Sequence, residues 1–194
     1  MVSPAEERRD KNDTRCAILA VAQDLFAALG YAGTSIADIS GRLGMSKAAL
    51  YYHFRSITEI LRALLQVPIA AYSRLAEGAA VPLGTRELLG AVIDTTVDLR
   101  ALVDVIGNDP SARSALQDLL PQSREINEAI TAALAGPQPD QAASIRAHAA
   151  YAAAKNGTLA LLAANGGRMS RLDRAELLAA AERALISTDT PSAS

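Results

Sequence analysis

The sequence has no tryptophan, one cysteine, two histidines and two phenylalanines in 194 residues. Each scarcity removes a class of protein. Cys16 has no internal disulfide partner, so the fold must hold without staples, which a chain of this length does with an ordinary apolar core. His53 and His148 stand alone, and neither a nucleophile elbow nor a phosphate loop is present. No enzyme activity, cofactor or metal is therefore expected. No apolar stretch reaches the ~18 residues a membrane span needs, which excludes a transmembrane placement. Charged residues follow Met1 where an apolar signal run would stand, so a cytoplasmic location is expected. With 19 basic and 21 acidic residues the net charge is -2, so the chain has no bulk basic excess and any surface for nucleic acid must be local.

Alanine is abundant, and apolar residues recur at helical spacing without the alternation of strands, so the expected fold is all-α with about nine helices. Residues 1–13 are charged and almost free of apolar side chains and read as a disordered arm; residues 187–194 read as a disordered tail. Thr14 caps a first helix with Ile18, Ala22, Leu25, Phe26 and Leu29 on one stripe, ended at Gly30. Ser35 and Asp38 box the start of a short second helix, Gly44 closes it, and Ser46 caps a third from Lys47 to His53. Ser56 and Glu59 box a long fourth helix, whose stripe of Ile57, Leu61, Leu64, Tyr72 and Leu75 is interrupted by Pro68. The proline forces a kink or a stop, and a kink is the reading adopted. Pro82 and Gly84 mark a turn before a fifth helix carrying Leu88, Val92, Leu99, Val103 and Ile106. A short sixth begins at Asp109 and Pro110, a seventh near Pro121, an Ala-rich eighth runs to Asn165, and a ninth boxed by Ser170 and Asp173 ends near Ile186.

A helix, a tight turn and a short helix with a basic entrance form a helix-turn-helix layout. The residues sharpen it: Ile18, Leu25, Phe26, Gly30 and Tyr31, then Thr34, Ser35, Ile36, Asp38 and Ile39, then the run G-M-S-K-A-A-L-Y-Y-H-F from Gly44 to Phe54. Over about residues 14–61 the chain resembles the tetracycline-repressor (TetR) family of bacterial transcriptional regulators. The resemblance implies a helix-turn-helix DNA-binding domain at 14–55 and a larger effector-binding and dimerisation domain at 56–186. It also implies a regulator, more often a repressor, that grips a palindromic operator in double-stranded DNA as a homodimer and is released by a small effector. The alternative is a DNA-binding regulator controlled by Cys16 oxidation or by a protein partner, with no small-molecule pocket. Arg15 and a nearby helix N-terminus would lower the thiol pKa, whereas a thiol in the small core would be inert.

Lys47 adds charge where free N–H groups of a helix start already favour phosphate. Tyr52 and His53 offer donors that by family resemblance reach the DNA backbone, while Leu50 and Phe54 look like core; Tyr51, next to Leu50, fits either by position, and the resemblance places it in the small domain's packing. Thr34, Ser35 and Ser46 offer hydroxyls near helix starts, for a phosphate or simply as caps, and Arg42 faces solvent as a contact or a solvated charge. Ala48 and Ala49 on the reading face can touch only a thymine methyl, so polar base readout is expected to be sparse and DNA shape to matter. The family commonly has lysine where Ile57 stands, which removes one phosphate contact. Residues 1–55 hold seven basic and six acidic side chains, a sign asymmetry that is correct but small.

One small reader makes too few contacts for specificity, so two copies must be held together. On the eighth helix Ile145, Ala149, Ala152, Asn156, Leu159 and Ala163 share a face, and the ninth adds Leu178, Ala181 and Leu185. These are the expected dimerisation residues, an intrachain core being the other reading. Tyr72, Thr95, Thr96, His148 and Tyr151 are the candidate ligand-binding residues, each with an ordinary structural explanation beside it. Only Tyr72 and Tyr151 are aromatic beyond residue 54, so a cavity there would be aliphatic and its effector apolar. Pro68 would serve as a hinge in the fourth helix, the one element expected to belong to both parts.

Overall fold

The protein, a computed structural model, is described for residues 4–78 and 84–186, and for side chains in these spans other than 4–8 and 101–108. The described residues form nine α-helices and one 3-10 turn, with no strand. The order is α1 (Pro4–Leu29), α2 (Ile36–Leu43), α3 (Lys47–His53), α4 (Ile57–Gly78), α5 (Thr85–Asn108), α6 (Pro110–Ala115), a 3-10 turn (Gln117–Leu119), α7 (Leu120–Ala135), α8 (Gln141–Ala164) and α9 (Arg171–Leu185). The expected tail at 187–194, the turn at Pro82 and the side chains of Val103 and Ile106 lie outside the described residues.

The chain divides into two units, Met1–Pro68 with Ala101–Asp118, and Ile69–Arg100 with Leu119–Ser194. The expected boundary at residue 55 therefore lies inside the first unit, which takes the first half of α4 and all of α6. Two helices are divided between the units, α4 at Pro68 and α5 at Arg100, so α4 is not the one shared element. Pro68 is buried inside a continuous α4. The helix does not stop there, although the proline supplies no N–H to the carbonyl of Leu64.

In the first unit Ile18, Ala22, Phe26, Ile39, Leu50, Phe54, Ile60 and Leu61 are almost wholly buried. Leu29, counted on the stripe of the first helix, is instead 54% exposed in its last turn. The supposed disordered arm is helical from Pro4 onward, and Thr14 caps nothing: its hydroxyl donates to the carbonyl of Asp10, one turn back, at 2.9 Å. A lack of apolar residues favours disorder, but Glu, Arg and Lys are good helix formers and the run continues a helix anchored further on. Tyr31 donates or accepts at Thr58 Oγ1 over 2.8 Å, which ties the turn after α1 to α4, and Arg62 pairs with Asp118 at 2.8 Å, which ties α4 to the 3-10 turn.

In the second unit the buried residues of α8 are Ala147, Ala150, Tyr151, Ala154, Thr158 and Leu162, and those of α9 are Leu178 and Ala181. Small side chains on the inner face of α8 let α9 and α7 approach it closely. Arg174 grips Asp94 through two bonds of 2.6 Å, and Arg86 pairs with Glu182, so α9 is also tied to α5.

Candidate functional site

The turn between α2 and α3 is built by caps. Ser35 and Asp38 form the full reciprocal box at the start of α2. Gly44 ends that helix at φ 64 and sends its N–H back to Gly41 and Ser40, while Met45 N–H reaches Ser40 at 3.0 Å. This left-handed conformation favours glycine because a Cβ would meet the following carbonyl. Ser46 then accepts the N–H of Ala49 at 3.1 Å and starts α3. Leu50 and Phe54 turn inward with no exposed surface and lock α3 onto the core.

What α3 leaves outward is Lys47, Ala48, Ala49, Tyr51 and Tyr52. Tyr51 is 51% exposed, which corrects the expectation that it is packed, and Tyr52 is 71% exposed. The outward face is therefore less poor in polar groups than Ala48 and Ala49 alone suggest, because Tyr51 adds a hydroxyl beside them. Ser46 and Arg42 are exposed as well. Ser35 is exposed but engaged, its hydroxyl donating to Asp38 at 2.6 Å. Thr34 is corrected: it is 7% exposed and donates to the carbonyl of Gly30 at 2.8 Å, which leaves its hydroxyl no proton for a phosphate. At the start of α4, Ser56 accepts from Glu59 N–H at 3.1 Å, but the Glu59 carboxylate takes the N–H of Arg55 rather than that of Ser56, so the box is only half closed.

Lys11 and Arg15, one turn apart on α1, complete this surface. The Lys11 ammonium lies 4.5 Å from the ring centre of Tyr52 and donates to its hydroxyl at 3.3 Å. Arg15 stacks over Phe54 at 4.1 Å and donates to the carbonyl of His53 at 3.2 Å, near the negative end of α3. His53 is half-buried, and burial, then the charges of Lys11 and Arg15, lower its pKa, which favours the neutral ring. The helical period of α1 was the signal available for Lys11 and Arg15, since they lie four apart on one face. Cys16 is exposed in the middle of α1, neither in the core nor near a helix N-terminus.

A second polar cluster lies wholly inside the second unit. Tyr72 is 6% exposed, and its hydroxyl lies 2.5 Å from Thr96 Oγ1. Thr96 spends its own proton on the carbonyl of Val92 at 2.7 Å, so Tyr72 is the donor between them. Tyr151, 8% exposed, donates to Asn127 Oδ1 at 2.6 Å. Lys155 sits between the two rings, 4.7 Å from the centre of Tyr72 and 5.5 Å from that of Tyr151, and donates to Tyr151 and Asn127 at 3.3 Å each. Burial raises both tyrosine pKa values and lowers that of Lys155. Thr95 is half-buried but has no bond to the cluster, because adjacent residues on a helix point apart. His148 is exposed and bonded to the carbonyl of Ser144, so it does not pair with Tyr151. Lys155 and Asn127 are absent from the sequence-level candidates. Lys155 is four residues after Tyr151, the spacing that would have flagged it.

On α8 the residues Ile145, Ala149, Ala152, Asn156 and Ala163 are exposed and Leu159 half-buried, a stripe that the chain itself leaves uncovered. Leu178 and Ala181 are corrected: both are buried within the chain, and Leu185 is half-buried. Both Leu178 and Ala181 lie on the α9 face that the chain covers, whereas the outward large apolar residues at the ends of α9 are Leu172, 69% exposed, and Ile186, 62% exposed. Among the described residues no group of three metal-ligating side chains is present, and no helix is long and apolar enough to cross a membrane.

Against known proteins, residues 18–64 match the sequence model of the bacterial regulatory proteins, tetR family. The transcriptional repressor KstR2 of Rhodococcus jostii (strain RHA1) is 30% identical over 123 residues, 59% of this chain and 54% of that protein. The regulator TtgR of Pseudomonas putida is 32% identical over 96 residues, 46% of each. The chain thus spans about half the length of the curated relatives it matches. Among solved structures, NalD of Pseudomonas aeruginosa, a secondary repressor of the MexAB-OprM multidrug efflux pump, superposes with a TM-score of 0.72 at 21% identity, over 94% of this chain and 100% of that one. A TerR/AcrR-family regulator from Aquifex aeolicus VF5 gives 0.70 at 20% identity, over 88% and 98%. The structural likeness speaks for the fold, and the sequence match for the reading domain. Residues 18–64 thus carry the helix-turn-helix pattern of the bacterial regulatory proteins of the tetR family, set in a helical fold that the superposed structures share.

Proposed function

We propose that the protein is a transcriptional repressor that binds a palindromic operator as a homodimer and is released by a small, largely apolar effector. The observation that carries the DNA part is the outward face of α3, where Lys47, Ala48, Ala49, Tyr51 and Tyr52 stand free of the core with Lys11 beside them. Arg42, Ser46 and His53 flank it, and the cations would contact phosphate while the alanines and Tyr51 face base edges. Dimerisation is supported by the uncovered stripe of α8, with Ile145 62% exposed at its start, by Leu172 on α9 and by Ile186 just after it. Effector binding is supported by the second unit's interior, aliphatic apart from Tyr72 and Tyr151 and carrying one polar cluster among its helices. That KstR2 and NalD are repressors favours repression over activation.

The test is selection of bound duplexes from random DNA, followed by measurement of stoichiometry and of release by apolar compounds. A palindromic motif bound by two subunits and released by one of them is expected. A monomer that binds no duplex at low ionic strength would refute the reading.

A further inference from the structure

The polar cluster of the second unit has one feature that stability does not explain. Lys155 is a half-buried ammonium whose recorded partners are neutral oxygens and two aromatic faces, and none of the ion pairs among the described residues includes it. Its two hydrogen bonds are long at 3.3 Å, and an ammonium has a third N–H to give. Desolvating such a charge is unfavourable, and an apolar side chain of similar volume would serve the core at least as well. Around it, both tyrosine hydroxyls and Thr96 are already committed within the protein, so the cluster offers an incoming group one unbalanced positive charge.

Resting on the effector reading above, we infer that the effector is an apolar monocarboxylic acid whose carboxylate pairs with Lys155. A single charge matches a single charge in a medium of low dielectric constant, whereas a phosphate dianion would keep an uncompensated charge and an amine would meet repulsion. The remaining buried side chains of this unit, among them Ile69, Val92, Ile93, Ile130 and Leu134, suit an alkyl chain rather than stacked rings. A charged acceptor also shortens and strengthens the lysine's bonds relative to the neutral oxygens it now uses.

The experiment is calorimetric titration of the full-length protein with alkyl carboxylates of six to twelve carbons, the matched alcohols and the matched amines. The best acid is expected to bind about tenfold or more tightly than its alcohol, the amine not at all, as a charged hydrogen bond predicts. In Lys155→Met that preference disappears while alcohol affinity stays within about twofold, and the ligand-free variant melts no lower than the parent. The wild-type series stands alone if the variant fails to fold. Equal binding of acid and alcohol overturns the inference and leaves the effector reading intact. No binding of any of the compounds, in a protein that still binds DNA, also overturns the inference, while the release assay with other apolar compounds decides the effector reading separately.

Discussion

Asp109 accepts the backbone N–H of Tyr31 at 2.7 Å across 78 positions of sequence. The same Oδ2 takes Ala32 N–H at 3.3 Å, and Oδ1 caps α6 through Ser111 and Ala112 N–H at 2.8 and 3.2 Å. One carboxylate thus fastens the start of α6 to the turn between α1 and α2. Gly30, at φ 75, lies so close that a Cβ would stand 3.2 Å from Oδ2.

Asp109→Ala removes the cap of α6 and frees two turn amides, and should cost about 1–2 kcal/mol of unfolding free energy, read by urea denaturation. The Ser111 hydroxyl, then the backbone N–H groups of Ala32, Ala112 and Ser111, pull its carboxyl pKa down to about 2. A folded-state value below the unfolded one stabilises the protein fully above about pH 4, and this contribution is lost as pH falls toward 2. Acid unfolding of Asp109→Ala should accordingly show a shallower dependence on pH in that window than the parent.

Tyr72 and Thr96 should respond unequally. Thr96→Val leaves the buried Tyr72 hydroxyl without its acceptor, whereas Tyr72→Phe leaves Thr96 still bonded to Val92. The first should cost about 1–3 kcal/mol, the second about 1 kcal/mol, and the double variant less than their sum, by thermal or urea unfolding.

On DNA, Lys47→Ala should weaken binding to all duplexes alike and reduce the slope of log K against log salt by about 0.9, the value of one phosphate contact. Tyr51→Phe, which keeps the ring and removes the exposed hydroxyl, should leave that slope unchanged and relax sequence preference at one position of each half-site. Competition binding over a set of singly altered operators distinguishes the two.

For assembly, Ile145→Asp combined with Leu172→Asp should convert dimer to monomer in light scattering at micromolar concentration with unchanged helicity, because both side chains are exposed within one chain. Leu178→Asp, on the buried face, should instead unfold α8 and α9 together.

Much of the reading domain was legible in the residues themselves. Ser35 with Asp38, Gly44 and Ser46 are local devices whose partners lie within four positions, so spacing alone locates the turn and the start of α3. The faces of single helices were legible too, as the outward stripe of α8 shows. Rotational phase on α9 was not. Leu178 and Ala181 lie on one side of a helix whose two faces are both partly apolar, and which face meets α8 depends on where α8 lies. Thr34 was misread because the carbonyl that takes its hydroxyl, Gly30, is presented by a turn rather than by a regular helix.

The amino-acid order by itself determined the helical class, the caps and the short helix α3 after the tight turn, since all three follow from interactions within one or two turns of chain. Only the tertiary structure decided that Lys155 stands between Tyr72 and Tyr151, that Lys11 lies on Tyr52, and that Asp109 holds Tyr31. Apart from Tyr151, four positions before Lys155, those partners are 41 to 83 residues apart, and nothing local brings them together. They meet because burial of the apolar stripes sets how the helices pack, and the packing then chooses which polar groups become neighbours.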